Sequence, residues 1–321
     1  MMTLSKLAKL AHVSVSTASK AFAMSNEVNE QTREEIFRLA KELGCFKKFY
    51  NAKYPKFVVA VICPEFQSQY YSRTLSLIQG YLAAQNCDVC AAATDFSPAS
   101  EKLLLEYYNN YSNVDGIIVI EGQTYIDDTY ETPVVSISPF VSQAQTTINI
   151  DYEISIAEIL EHFKDHKVNT VGYLGEIKTF EKFEAYKKEM LLKYGNCDED
   201  FVVVSEERFE AGGYSAMDTL FKRGKLPRAI ICAYDYFAIG AIRCILDHGL
   251  SVPDDIAVVG IDNIPEAKYL NPPLSSISSR REVVCKAATD AIIKLLNNEA
   301  VDSEVTINSR LHLRKSSEIE S

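Results

Sequence analysis

Tryptophan is absent from this 321-residue sequence, and histidine occurs five times. No apolar run approaches the ~20 residues that span a bilayer. The amino-terminal MMTLSKLAKLAHVS is amphipathic and lacks the apolar core and cleavage site of a signal peptide, so a cytoplasmic protein without a membrane partner is expected. Glycine is scarce, at 13 residues. None falls in CPEFQSQYYSR, which follows the first strand-like run, so the G-x-G-x-x-G phosphate cradle of a dinucleotide enzyme is excluded there. The pair in Ala211-Gly212-Gly213-Tyr214 merely precedes a helix late in the chain. The eight cysteines form no framework. Cys87-Asp88-Val89-Cys90 is a lone C-x-x-C, and other cysteines sit inside apolar runs such as VAVICP and AIICAY, so packed, reduced thiols are expected. His162 and His166, at i, i+4, read as an exposed helix end, and Asp127-Asp128 and Asp254-Asp255 read as solvated turns. No catalytic residue, metal or cofactor is expected, and the chain does not read as an enzyme.

The sequence is 47% hydrophobic and 24% charged, enough for two or three units with sizeable cores. Its net charge of −11 conceals an asymmetry. Residues 1–56 hold ten Lys/Arg and five Asp/Glu, a balance of +5, and the remainder 23 and 39, a balance of −16. A basic head on an acidic body suits a polyanionic partner.

Within that head, Leu4, Leu7, Ala8 and Ala11 recur at helical spacing behind Thr3 as N-cap. After a short break at His12, a position suited to φ > 0, VSVSTASKAF resumes with Ser14 as N-cap. A third helix starts after Asn29, buries Ile36, Leu39, Ala40 and Leu43, and stops at Gly44. Three short helices with a tight turn between the first two describe a helix-turn-helix. The second helix is slender and hydroxyl-lined outside, with Val13, Ala18 and Phe22 inside, which suits the DNA major groove. Val15 and Ser16 are placed to meet base edges, and Lys20 to meet a guanine or a phosphate. Thr3, Ser14, Thr17 and Ser19 suit phosphate oxygens.

The stretch LSKLAKLAHVSVSTASKAFAMSNEVNEQTREEIFRLAKELG resembles, without a gap, the DNA-binding headpiece of the lactose/galactose repressor (LacI/GalR) family. His12 stands where that family usually has Gly, Ala18 where it has Val, and Lys20 where it has Arg. A lysine offers a point charge in place of a guanidinium fork. The resemblance implies a linker over residues 47–56, KKFYNAKYPK, in which Asn51, Ala52, Lys53 and Tyr54 either form a hinge helix with a minor-groove wedge or serve as a plain basic tether.

From Phe57 onward, apolar β-branched runs alternate with helical patterns, and the rhythm restarts at NTVGYLG. Two doubly wound parallel lobes are expected, with ligands beyond the carboxyl ends of the strands. AYDYFAIGAIRCILDHGLSVPDDIAVVGIDNIPEAKYLNPPLSSI and the closing LHLRKSS are similar to the same family's effector domain, of the type I periplasmic-binding-protein fold. By that analogy the headpiece covers 1–46, the linker 47–56 and the effector and dimerisation domain 57–321. Its N-lobe would take about 57–166 and 279–301, and its C-lobe about 167–278 and 302–321. The crossings then fall near Asp165–Val168, Ser276–Ser279 and Val301–Ser303.

Carried over position by position, the effector site between the lobes comprises Ser68, Tyr70 and Tyr71 after the first strand, Lys182 in place of a usual Arg, Tyr234 in place of a usual Asn, Asp235, and Asp262. The resemblance implies a homodimeric transcriptional regulator, a repressor, binding double-stranded operator DNA. A sugar or sugar phosphate is the expected effector, because Asp262 can accept paired hydroxyls. A nucleobase, or no small molecule at all, is the alternative. A transport-type sugar-binding protein would account for the body but not for the head. The short tail after Arg314 lacks leucine heptads, which favours a dimer over a tetramer.

Overall fold

A computed structural model describes residues 2–50, 56–122, 130–138 and 144–319. The head contains α1 (Leu4–Leu10), α2 (Val15–Phe22), α3 (Glu30–Glu42) and a short α4 (Phe46–Phe49). Side chains of Thr3, Ser14 and Asn29 accept from the backbone N–H groups of Lys6, Thr17 and Thr32. Each cap satisfies a donor that the helix itself leaves open. His12 adopts φ 53°, and the N–H of Val13 behind it bonds the Ala8 carbonyl at 2.9 Å. This closes the turn without the usual glycine.

Leu7, Ala21, Phe22, Val28, Ile36, Ala40 and Cys45 form the head's core. Phe22, Phe37, Phe46, Phe49 and Tyr50 extend it as an aromatic cluster with ring centroids 4.6–5.9 Å apart. The linker expected from residue 47 is corrected here. Residues 46–49 are helical, and Phe49 and Tyr50 pack on the head, because apolar rings so close to a core gain more from burial than from a solvated tether. Asn51, Ala52, Lys53 and Tyr54, and the pair Asp127-Asp128, lie outside the described residues.

The body holds two six-stranded sheets. In the first, β1 (Val58–Cys63), β2 (Asp88–Ala93), β3 (Gly116–Ile120), β4 (Val134–Ile137), β5 (Thr146–Asp151) and β11 (Glu304–Asn308) stand in the order β11-β5-β4-β3-β1-β2. The pairings of β2, β1, β3, β4 and β5 are parallel. Helices α5 (Gln69–Ala84) and α6 (Pro98–Asn110) connect them. In the second, β6 (Val171–Glu176), β7 (Val202–Ser205), β8 (Ala229–Cys232), β9 (Ala257–Ile261), β10 (Ser275–Ser278) and β12 (Arg310–His312) run in the order β12-β10-β9-β8-β6-β7. All its pairings are parallel except β10 with β12. Helices α7 (Glu153–Asp165), α8 (Phe180–Tyr194), α9 (Phe209–Arg223), α10 (Asp235–Asp247) and α11 (Arg281–Leu296) complete the chain.

Two compact units result, Met1–Asn149 with Cys285–Val305, and Ile150–Val284 with Thr306–Ser321. The first crossing therefore precedes α7 instead of following it near Asp165–Val168, and the other two fall at Val284/Cys285 and Val305/Thr306. The cause is the inner face of α7. Ile156, Ile159, Leu160 and Phe163 are fully buried in the second unit's core with Tyr173, Tyr186 and Phe237. At about 1.5–3 kcal/mol per buried side chain, that face decides which sheet the helix joins. All eight cysteines are free thiols.

The candidate DNA-reading helix and effector cluster

The outward face of α2 carries exposed Val15, Ser16, Ser19 and Lys20, while Ala18 and Phe22 are buried beneath it. Val15 is 46% exposed, so its methyl groups are open to a thymine methyl. The hydroxyls divide into two groups. Ser14 Oγ accepts from Thr17 N–H at 2.9 Å and lies 2.8 Å from Thr17 Oγ1, so this pair builds the helix start. Thr3 likewise caps α1. Ser16 and Ser19 stand in the solvent-facing row. Lys20 Nζ is ion-paired with Glu27 in the following loop. Arg33 braces that loop from α3, its Nη2 donating to the carbonyls of Ser25 and Val28 at 2.7 and 3.1 Å.

Both sheets have the strand order second-first-third-fourth-fifth, which places the topological switch beside the first and third strands. In the first sheet, Ser68 caps α5 by accepting from Tyr70 N–H at 3.1 Å and is buried. Tyr71, also buried, donates its hydroxyl to Glu121 at the end of β3. Burial, with the Glu121 charge next, holds the Tyr71 phenol well above its ordinary range, so it stays a donor. Tyr70 is half-buried and meets Tyr71 edge-on, with ring centroids 5.0 Å apart.

In the second sheet, Lys182 of α8 donates to the Ala233 carbonyl at 3.0 Å and to Asp262 Oδ1 at 3.2 Å, with its ammonium 5.4 Å from the centre of the Tyr152 ring. Side-chain exposures of 14% and 9% make this a largely desolvated ion pair. Tyr234 accepts from Phe209 N–H at 2.8 Å and donates to Glu176 Oε2 at 3.1 Å, and Arg208 Nε lies 3.2 Å from the same oxygen. The phenol is therefore committed within the lobe, with its ring packed on Phe209 and Phe237.

Asp235 departs from expectation. It is fully buried, with Oδ2 accepting from Ile264 N–H at 2.7 Å and Oδ1 from Ser276 Oγ at 2.5 Å. Both oxygens are used inside the lobe, so it positions the loop after β9 and offers no open acceptor to a ligand. Burial, with the Asp262 charge next, pushes its carboxyl up to about 8. That loop is strained, with Asp262 at φ 101° and Asn263 at φ 49°. Asn263 is fixed by its N–H to Ser276 Oγ at 2.9 Å and by Arg314 donating to its Oδ1 at 2.6 Å. Strain held by several neighbours at strand ends is a mark of a binding site.

Glu121, Glu176 and Arg208 were not foreseen from the sequence. Glu121 and Glu176 each end an apolar strand run, Arg208 stands in the charged turn SEERFE, and only the strand order brings them to the switch points. The available signal was that Glu121 and Glu176 end the runs GIIVIE and VGYLGE.

A basic three-helix head joined to two doubly wound lobes defines a class of one-chain transcriptional regulators. Residues 160–317 match the periplasmic binding protein-like domain family. The HTH-type transcriptional regulator GalR of Streptococcus thermophilus is 29% identical over 98% of this chain and 99% of its own length. The transcriptional regulator CelR–cellobiose complex is similar in fold, with TM-score 0.69 at 22% identity over 99% of this chain and 100% of that one. So is the Lac repressor dimer bound to operator and an anti-inducer, with TM-score 0.71 at 19% identity over 98% and 99%. Over nearly its whole length the chain is similar to regulators of the LacI/GalR type, and it is a DNA-binding transcriptional regulator, not an enzyme. No helix among the described residues is long and apolar enough to cross a membrane.

Proposed function

We propose that this protein is a homodimeric repressor that reads a pseudo-palindromic operator through α2 under the control of a sugar or sugar phosphate. In this reading Val15 and Ser16 meet base edges, Lys20 meets a guanine or a phosphate, and Thr3, Ser14, Thr17 and Ser19 meet the phosphates. Lys182 and Asp262 grip the effector. The observation that carries the effector class is the Lys182–Asp262 pair, a desolvated cation and anion side by side beyond the strand ends. Adjacent hydroxyls of a sugar donate to the carboxylate and accept from the ammonium, replacing the pair's mutual contact one for one. A phosphate would engage the lysine alone. Tyr71 and Tyr234 support a nucleobase less than their sequence positions suggested, because both are buried with their hydroxyls engaged. The relative named for a cellobiose complex is a sugar binder of the same fold.

Two half-sites read by two heads would give the operator its two-fold symmetry. The test is a thermal-shift screen of sugars, sugar phosphates and nucleobases on the full-length protein, paired with binding to inverted-repeat DNA. We expect a shift from a sugar or sugar phosphate that Asp262→Asn removes. A nucleobase shift that persists in Asp262→Asn, with no response to sugars, would overturn the effector assignment. DNA affinity indifferent to sequence would overturn the role of α2.

A further inference from the structure

On another part of the second unit, α9 and α10 pack with little between them. A Cβ on Gly240 would stand 1.9 Å from the Glu210 carbonyl oxygen, so only glycine permits this approach. The closeness lines up Asp218 of α9 with Cys244 and His248, which share one face of α10 by their i, i+4 spacing. One donor atom from each of the three lies within 4.8 Å of the other two.

The hydrogen bonds around His248 define what the ring presents. Nδ1 is 2.9 Å from the Cys244 carbonyl oxygen. A carbonyl only accepts, so Nδ1 carries the hydrogen, and Nε2 of the neutral ring presents a lone pair. Nε2 faces Asp218 Oδ1 at 3.7 Å. With the ring neutral, two electron-pair donors face each other, a juxtaposition that a cation, whether a proton or a metal ion, resolves. Lys222 engages the other carboxylate oxygen, Oδ2, at 2.6 Å, which leaves Oδ1 directed at the imidazole. Phe221 stacks on the ring with centroids 3.8 Å apart and planes 7° from parallel, fixing its orientation. Cys244 Sγ, 3.7 Å from Nδ1, belongs to a fully buried residue and forms the floor, with His248 and Asp218 at the rim.

We propose that Asp218, Cys244 and His248 form a binding site for a divalent transition metal of the zinc type, with water as the fourth ligand. Sulfur, imidazole and carboxylate are the donor set that zinc takes, and alkaline-earth ions avoid the thiolate. Tetrahedral zinc with bonds of about 2.0–2.3 Å separates its ligands by roughly 3.3–3.7 Å, so the histidine and the carboxylate need little movement. A ring N–H donated to a backbone carbonyl is the usual outer support of a metal-bound histidine, and the lysine on the distal carboxylate oxygen plays the same part for Asp218. On binding, the metal replaces the Cys244 thiol proton, which leaves to solvent. The sequence concealed this site because its third ligand comes from a different helix.

The experiment uses full-length, reduced, chelator-stripped protein. It is titrated with zinc chloride against a chromophoric chelator, and with cobalt(II) for its spectrum. We expect one equivalent per chain and a near-ultraviolet sulfur-to-cobalt charge-transfer band. Cys244→Ala should abolish the band, and His248→Gln and Asp218→Asn should each weaken binding by at least roughly tenfold. Cys197→Ser, at a partly exposed thiol elsewhere, should leave both readouts unchanged. Because Cys244 is a core residue, Asp218→Asn on a rim position keeps the test valid should Cys244→Ala fail to fold. Cobalt bound without a thiolate band, or zinc affinity insensitive to Asp218→Asn and His248→Gln, overturns the proposal.

Discussion

Lys20 is tied to Glu27 by an ion pair whose side chains are 45% and 69% exposed. Such pairs contribute less than about 1 kcal/mol, so the lysine can exchange its partner for DNA at little cost. Glu27 itself adds a negative charge beside the reading face. Glu27→Gln should therefore tighten operator binding several-fold at low salt, whereas Lys20→Met should weaken it and reduce the salt slope by about 0.9 per lost phosphate contact. Anisotropy titrations across salt concentrations decide this, and an unchanged slope in Lys20→Met would show that the lysine does not meet a phosphate. Asp235 makes a second prediction at this scale. Its carboxyl is raised from 3.8 to about 8, so the folded state holds this proton to higher pH than the unfolded chain does. The associated stability is complete below about pH 4 and is lost as pH rises through about 8. Asp235→Asn cannot ionise, so its melting temperature should fall less than that of the parent between pH 5 and 8. Parallel curves would rule out the raised carboxyl.

The helices of the body depend on glycine in opposite ways. Gly240 in α10 has backbone atoms of α9 where a Cβ would go, at 1.9 Å from the Glu210 carbonyl oxygen and 2.8 Å from Tyr214 N. Backbone cannot step aside as a side chain can, so Gly240→Ala should cost about 3 kcal/mol or more, or prevent folding. Gly80 in α5 is exposed and has nothing within 4 Å of its would-be Cβ. Gly80→Ala should add about 0.5–1 kcal/mol through helix propensity alone. Denaturant unfolding of the two variants separates the cases, and equal effects would refute the packing argument. In the head, the caps at Thr3, Ser14 and Asn29 and the aromatic cluster on α4 divide the labour. The caps fix where each short helix begins, and the rings supply burial that helices of seven or eight residues cannot provide alone.

Across the whole molecule, the same strand order occurs twice, and each copy carries a tyrosine hydrogen-bonded to a glutamate beside its switch point, Tyr71 with Glu121 and Tyr234 with Glu176. The opposite charges of head and body, +5 and −16, direct the head toward a polyanion while the body stays repelled. If the effector changes operator affinity, the operator must change effector affinity by the same factor. Measuring both constants, with and without the other ligand, checks this. Unequal factors would mean that the two ligands do not act on one equilibrium.

Local chemistry was enough to identify the three head helices, their caps and the left-handed turn at His12, because each is set by residues within one turn of chain. The alternation of apolar runs with amphipathic helices likewise announced two parallel-sheet lobes. Long-range contact alone decided the rest. Whether α7 joins the first or the second sheet depends on which core receives Ile156 and Phe163. Whether Asp235 faces a ligand or the interior depends on Ser276, which approaches from β10, and Ile264, from the loop after β9. The meeting of Asp218 with Cys244 and His248 exists only because Gly240 lets two helices touch. Periodicity is a property of neighbours along the chain, whereas a site is made by neighbours in space.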